Sequence, residues 1–489
     1  MAYRFAEAEQ LYATELKTSP DSQPALAGYT LSLLHQDKVS EAFAAAQKAI
    51  QQRPKDATLT AVLGEVEFRR ANLKEASEAF QSALALNPCA ARAHFAIVRF
   101  LKANSMYASA QTQLEVAHML APEDSEITEM WRETRPISEQ AAYVKERLNS
   151  VDLSEERRSR LSAYVALLEK RAEIERNGGC HVVSPVKDVT QSMVALMSEN
   201  LEVHPLGLDV RLNDKATARL LLDTGASGIY VSHAIAERAG LKAFRSNRTS
   251  GIGDQGDPTG YLALADDVRV GQIELKNCVV EVTDKKSVVD HEGLIGGDVF
   301  EGFLVTLDYP RKNIRFSQLP PRPGEAASTS APLETQADAI QPLHDRYISP
   351  EMKDWVRVLR FDHNLVVPTA VSGKETHMFI LDTGAFANIV DTNVASGVTK
   401  VSKTDGIVEG ISGRVKEVRR GNTVVVQFGN LKARLDDVTL LDTSRFSRSM
   451  NFEIGGFVGF GALRFVTMQI DYRDGLVHFA YDRQQGFDH

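Results

Sequence analysis

Two aspartates stand in nearly the same stretch of sequence: Asp223 in LLLDTGASGIYVS, residues 220–232, and Asp382 in FILDTGAFANIVD, residues 379–391. Each follows three apolar residues and precedes Thr-Gly-Ala. A lone carboxylate is a weak base. Two carboxylates about 3 Å apart cannot both ionise, so one keeps its proton and the pair can act as acid and base together. A second signal follows at a matched distance. GLIGGDVFEGFLVTLDY begins at Gly293 and GFVGFGALRFVTMQIDY at Gly456, so that Gly296 lies 73 residues after Asp223 and Gly459 lies 77 after Asp382. Two lobes of nearly equal size carry the same signals in the same order.

The elements that would position the two aspartates are hairpins. GLDVRLNDKATARLLLDTG has a polar Asn-Asp turn between alternating strands, and NLVVPTAVSGKETHMFILDTG has Ser-Gly-Lys-Glu at the matching place. Both lobes therefore read as β structure.

On these motifs the chain resembles the aspartic peptidases, specifically the small retropepsin-like lobe: apolar-apolar-Asp-Thr-Gly-Ala, a flap hairpin, then Leu294, Ile295, Gly296 or Phe457, Val458, Gly459. The resemblance covers about residues 200–317 and 355–482. It implies that Asp223 and Asp382 are the catalytic pair, activating a water that attacks a peptide carbonyl. It also implies that two lobes on one chain form an intramolecular pseudodimer, that Thr224 and Thr383 interlock beneath the pair, and that Gly225 and Gly384 permit the close turn presenting each carboxylate. Ala226 and Ala385 match the retroviral form. They lack a hydroxyl that could lower the carboxylate pKa values, so activity is expected at about pH 4 to 6. Ser227, Gly228, Phe386 and Ala387 stand where retroviral enzymes carry acidic residues that hold the substrate backbone, so substrate clamping must differ. Glycines Gly251, Gly253 and Gly256 of GIGDQG, and Gly410 and Gly413 of GIVEGISGR, are flap candidates. Tyr261 is a candidate flap aromatic or a strand-packing residue.

GIGDQG also satisfies the dinucleotide pattern G-x-G-x-x-G, but RSNRTS before it and DPTGYL after it provide no strand-to-helix unit. The twelve histidines form no HExxH or HxxxH set with a carboxylate at metal spacing, so no metal site and no cofactor is expected. At 489 residues the chain is too long for one core. Its net charge of −9 argues against nucleic acid. No apolar run approaches the roughly 20 residues of a spanning helix. Cys89, Cys180 and Cys278 are too few for a disulfide framework and read as buried free thiols.

The first third is periodic. Pro20, Pro54, Pro88 and Pro122 are spaced by 34, as are Ala8, Ala42, Ala76 and Ala110. Small alanines let helices approach closely, and proline ends the second helix of each pair. Gly64, Ala76, Phe80, Ala83 and Pro88 resemble the tetratricopeptide repeat, whose typical tryptophan is absent. Such repeats bind a protein partner. Counting back from Pro20 makes residues 1–20 the second helix of a unit whose first helix would precede Met1. MAYRFAEAEQ lacks the pattern of an export signal, which reads as cytoplasmic as written; a start upstream would admit a periplasmic or secreted location.

The expected architecture is an all-α helical repeat solenoid (1–136), a helical spacer (137–179), a first all-β retropepsin-like lobe (180–317), a flexible linker (318–350) and a second such lobe (351–489). A short helical stretch is expected near Val189 to Met197. The resemblance implies an aspartic endopeptidase acting on a peptide or protein substrate. The alternative is a non-catalytic binding adaptor.

Overall fold

The computed structural model describes residues 4–149, 153–184, 187–196, 205–248, 259–283, 292–324, 343–404, 408–410, 413–415 and 417–481. A helical repeat region is followed by two β-barrel lobes. The chain divides into two compact units: Met1–Arg135 with Pro342–Arg346 and Thr443–Ile454, and Pro136–Gln341 with Tyr347–Asp442 and Gly455–His489.

In the first unit the 34-residue period is visible in three separate local devices. Ser22, Asp56 and Asp124 are N-caps whose side chains accept from Ala25, Leu59, and Glu126 and Ile127, giving the freed amides of the first turn their partners. Ala90 occupies the same place without a capping side chain. Asp37, Ala71 and Ser105 have φ of 62°, 63° and 55° and reverse the chain between paired helices. Ala42, Ala76 and Ala110 have no exposed surface. At Gly64 a Cβ would lie 2.6 Å from the Phe80 ring, so this close approach admits only glycine.

In the second unit, helices Ile137–Leu148 and Glu155–Arg176 pack through Ala141, Val144, Val165 and Leu168. Each lobe is a closed ring of six strands. In the first, Ile273–Thr283, Ile229–Ser232, Gly293–Gly296, Ala216–Asp223, Leu206–Leu212 and Thr259–Val270 return to Ile273–Thr283. In the second, Leu431–Leu441, Ile389–Asp391, Gly456–Gly459, Thr376–Asp382, Asn364–Val371 and Arg419–Phe428 close in the same way. The hairpins turn where expected: Asn213 and Asp214 have φ of 50° and 53°, and Ser372 and Gly373 have 50° and 71°. Two successive positive values suit the right-handed twist of the flanking strands.

A six-stranded sheet joins the lobes. Its central pair, Phe303–Asp308 and Val466–Asp471, is antiparallel, with Leu304 opposite Asp471, Thr306 opposite Gln469, and Asp308 opposite Thr467. Leu304 and Thr467 hold equivalent places in their lobes, as do Asp308 and Asp471. This register is therefore the one a two-fold axis through Thr306 and Gln469 would impose, as in an isologous dimer interface.

The outer strand of this sheet corrects one expectation. Asp188–Ser192 is a strand, not a helix: Val189 pairs with Phe316 and is buried, and Asp188 accepts two bonds from Arg315, at 2.6 and 2.5 Å. Val194–Ala195 is also a strand; Met197 lies outside the described residues. Pairing with a sheet formed far along the chain overrides a weak local helical pattern.

The cysteines correct another. Cys180 and Cys278 form a disulfide, and Cys89 is exposed rather than buried. His181–Val182 pairs with Ile273–Thr283, with His181 opposite Lys276, and this ladder brings Cys180 to Cys278 across 98 residues of sequence.

The flexible-linker expectation falls largely on residues 325–342, outside the described residues. The flanks are ordered on one buried acid: Asp474 accepts from Arg322 Nη2 at 2.7 Å and from the Tyr347 amide at 2.8 Å. No described helix is long and apolar enough to cross a membrane.

Candidate active site

Asp223 and Asp382 are the last residues of their strands, and each strand lies parallel to the one bearing its lobe's second signal. Asp223 is opposite Gly296 and Asp382 is opposite Gly459. The preceding Leu220, Leu221, Leu222 and Phe379, Ile380, Leu381 are all buried. They anchor the strand ends in the barrel cores, so the carboxyl groups emerge from rigid supports. A Cβ at Gly296 would approach the Ala226 carbonyl oxygen to 2.4 Å, and at Gly459 the Ala387 oxygen to 2.4 Å. The glycine of the second signal leaves room for the loop that follows the aspartate, which is why the two signals occur together.

The loops interlock across the lobes. Thr224 Oγ1 donates to the Leu381 carbonyl at 2.7 Å and accepts from the Thr383 amide at 3.1 Å. Thr383 Oγ1 donates to the Leu222 carbonyl at 2.8 Å and accepts from the Thr224 amide at 3.0 Å. Both threonines are almost wholly buried. The four bonds satisfy each hydroxyl and each amide, and they fix the separation of the strand ends that carry the acids.

The glycines next in line serve a close approach. A Cβ at Gly225 would lie 2.7 Å from Asp382 Cγ, and at Gly384 it would lie 2.4 Å from Asp223 Cγ. Each carboxyl thus packs over the opposite lobe's glycine. Neither residue has a positive φ, so the need for glycine here is steric.

Both carboxyl groups pack against the glycine of the opposite lobe, but their surroundings are unequal. Asp382 Oδ1 accepts from the Gly384 and Ala385 amides, both at 2.9 Å. Asp223 Oδ1 accepts from Gly225 at 2.8 Å; the Ala226 amide bonds instead to the Asp223 carbonyl oxygen at 3.4 Å. Burial, followed by the neighbouring Asp382 carboxylate, pushes the Asp223 carboxyl well above the ordinary carboxylate range. Burial also raises Asp382, opposed by its amide donors and by the charge of His363. The pair titrates as a unit, with Asp223 raised further than Asp382, which places the shared proton toward Asp223.

Sequence reasoning missed His363 and Asp298, which shape the site, and had marked Asn388 only as a position where the two halves of the cleft differ. His363 Nε2 lies 3.2 Å from the Gly225 carbonyl oxygen. Asp298, two residues after Gly296, accepts from Ser227 Oγ at 2.6 Å and from the Gly228 amide at 2.9 Å. Asn388 Oδ1 accepts from the Gly459 amide at 3.0 Å in the other lobe. Asp298 was legible as an acid beside the second signal; nothing in the sequence pointed to His363. These contacts make the two halves unequal just where the residues after Asp-Thr-Gly-Ala diverge.

Of the flap candidates, Gly410 and Gly413 face each other across a two-stranded hairpin, Glu409–Gly410 with Gly413–Arg414. Gly251, Gly253 and Gly256 lie outside the described residues. Tyr261 is half-buried within the strand Thr259–Val270, its ring edge-on to His233 at 5.2 Å, the geometry of strand packing. Among the described residues no cluster of three or more His, Cys, Asp or Glu side chains could hold a metal ion.

Comparison with known proteins agrees with this geometry in the first lobe. Residues 208–299 match a family described as Aspartyl protease, a span that runs from the strand before Asp223 past the second signal. No curated protein matches the chain. Among solved structures, an aspartic proteinase from Irpex lacteus is similar to 61% of this chain and 99% of its own length, at 11% identity and a TM-score of 0.37. The first lobe is thus similar to the aspartyl protease family over residues 208–299.

Proposed function

We propose that the protein is an aspartic endopeptidase whose single site is formed by Asp223 and Asp382. The observation that carries this reading is the two carboxyl groups, each packed over the opposite lobe's glycine on strand ends that Thr224 and Thr383 lock together. In the resting site Asp223 holds the shared proton and Asp382 is the base. Asp382 takes a proton from a water as its oxygen attacks the peptide carbonyl carbon, and Asp223 donates to the carbonyl oxygen, giving a neutral gem-diol. Collapse restores the carbonyl as the C–N bond breaks. The proton on Asp382 passes to the leaving nitrogen, the diol returns one to Asp223, and the pair is ready again. The unequal contacts of Asp298 and Asn388 fit a cleft without strict two-fold preference.

The helical repeats, read as tetratricopeptide-like, would bind a peptide segment of a substrate or partner. Hydrolysis of an unfolded casein-like protein, blocked by pepstatin, tests the activity. A chain that never cuts such a substrate between pH 3 and 7 would favour a binding adaptor with inactive lobes.

A further inference from the structure

Within the helical unit, one short segment is held as a peptide ligand would be. Thr443–Ile454 follows the strand Leu431–Leu441 and precedes the strand Gly456–Gly459, but it belongs to the unit of Met1–Arg135. Its own bonds close it into a compact turn. Thr443 Oγ1 donates to the Ile454 carbonyl, and the Ile454 amide donates to Ser447 Oγ at 3.0 Å. Asn451, with φ of 46°, ends the helix Ser444–Met450 and turns Phe452 onto the repeats.

The recognition is of three kinds. Phe452 is fully buried, its ring 5.1 Å from that of Phe68. Backbone is read by Arg99, whose Nη2 reaches the Met450 and Asn451 carbonyl oxygens at 3.1 and 3.3 Å, and by the Arg69 carbonyl, which accepts from the Glu453 amide at 2.9 Å. Charge is read by Arg69, itself 3% exposed, whose Nη1 pairs with Glu453 at 2.9 Å while Nη2 holds Asp37 at 2.8 Å. Asp37 also lies 3.5 Å from Arg448 Nε. An aromatic anchor in a pocket, main-chain bonds and paired charges together make a sequence-selective peptide site.

We infer that the helical repeats form a receptor for a short turn-forming peptide with an aromatic residue followed by an acid, and that residues 443–454 of the same chain are its resident occupant. Because the occupant is tethered, its effective concentration excludes a free peptide of equal intrinsic affinity. An external partner with this chemistry binds only after the resident segment leaves. The inference rests on reading the repeats as a peptide-binding array and does not depend on the lobes being active.

The test uses the full-length chain with Asp223→Asn, so that the probe stays uncut, with and without Phe452→Ala/Glu453→Ala. The probe is a fluorescein-labelled peptide of residues 443–454, followed by anisotropy. The expected result is saturable binding to the emptied chain at least 10-fold tighter than to the chain with its native segment, abolished by scrambling the peptide. Should the double variant not fold, Glu453→Gln, which removes only the charge, is expected to show the same contrast at smaller amplitude. Equal binding with and without the native segment, no binding to either folded variant, or indifference to scrambling overturns the inference. Casein hydrolysis by the unaltered chain reports on the peptidase separately.

Discussion

Thr224 and Thr383 each accept the other's amide proton on a hydroxyl that is simultaneously donated to the opposite lobe, at residues Leu381 and Leu222. The acids stand directly before these threonines, so the exchange sets their separation. Thr224→Val or Thr383→Val keeps the volume but leaves a buried amide and a buried carbonyl without partners. Each is expected to cost about 1 to 3 kcal/mol of stability and to lower kcat at least about tenfold by loosening the acids. Because the bonds are shared, the double variant is expected to cost less than the sum, with a coupling of about 0.5 to 3 kcal/mol in a urea-unfolding cycle. Simple additivity would show that the two hydroxyls act independently.

The packing of each carboxyl over a glycine gives a sharper mutational contrast. Gly384→Ala would place a methyl 2.4 Å from Asp223 Cγ, whereas a Cβ at Gly302 meets nothing within 4 Å. The first substitution is expected to reduce kcat/KM about 100-fold or more through displacement of Asp223, and the second to leave it within about twofold. Steady-state assays on both, beside thermal melts, separate an effect on the site from a general loss of fold.

The Cys180–Cys278 bond closes a loop with a sequence separation of 98. A long closed loop restricts the unfolded chain strongly, so replacing both cysteines by serine is expected to cost about 2 to 5 kcal/mol. Reductant should lower the unfolding midpoint of the native chain and leave the serine variant unmoved. Equal midpoints with and without reductant in the native chain would contradict this. A bond that stabilises the folded chain also suits an oxidising compartment.

Asp471 supplies a pH test separate from Asp223 and Asp382. Burial, then the nearby Asp474 carboxylate, pushes its carboxyl up to about 6, opposed by the Asp474 amide and by Arg473 and Arg322. A carboxyl raised on folding binds its proton more readily in the folded state, so stability falls as pH rises through about 4 to 6 and the loss is complete above that window. Asp471→Asn carries no charge to bury. It is expected to gain up to about 3 kcal/mol above pH 6 and almost nothing below pH 4. Unfolding midpoints of both proteins at pH 3.5 and 7.5 decide it.

Much of this was legible in the sequence because it is written in local, repeated signals. The 34-residue spacing of Pro20, Pro54, Pro88 and Pro122 reflects one helix pair per period, and a turn residue such as Ala71 recurs with it. The two aspartates and their distant glycines could be matched because each pair shares one ladder. What escaped depends on contacts between distant parts of the chain. Asp188–Ser192 becomes a strand only when Asn313–Gln318 offers it an edge. Cys180 meets Cys278 only through the His181–Val182 ladder. His363 approaches the site only once the lobes have joined. The docking of Phe452 beside Phe68 likewise joins residues far apart in sequence, and no motif announces it.

The most direct measurement is kcat/KM on an unfolded protein substrate from pH 2 to 9, for the native chain and for Asp223→Asn and Asp382→Asn. The raised carboxyls and the absent hydroxyls at Ala226 and Ala385 lead to a bell-shaped profile for the native chain, centred at about pH 4 to 6, where the pair holds one proton. Each variant is expected to lose about 10³-fold or more at the optimum, since each removes half of a coupled acid and base, while melting close to the native chain. Either variant turning over at the native rate, or a native optimum near pH 2, would contradict a shared proton between Asp223 and Asp382.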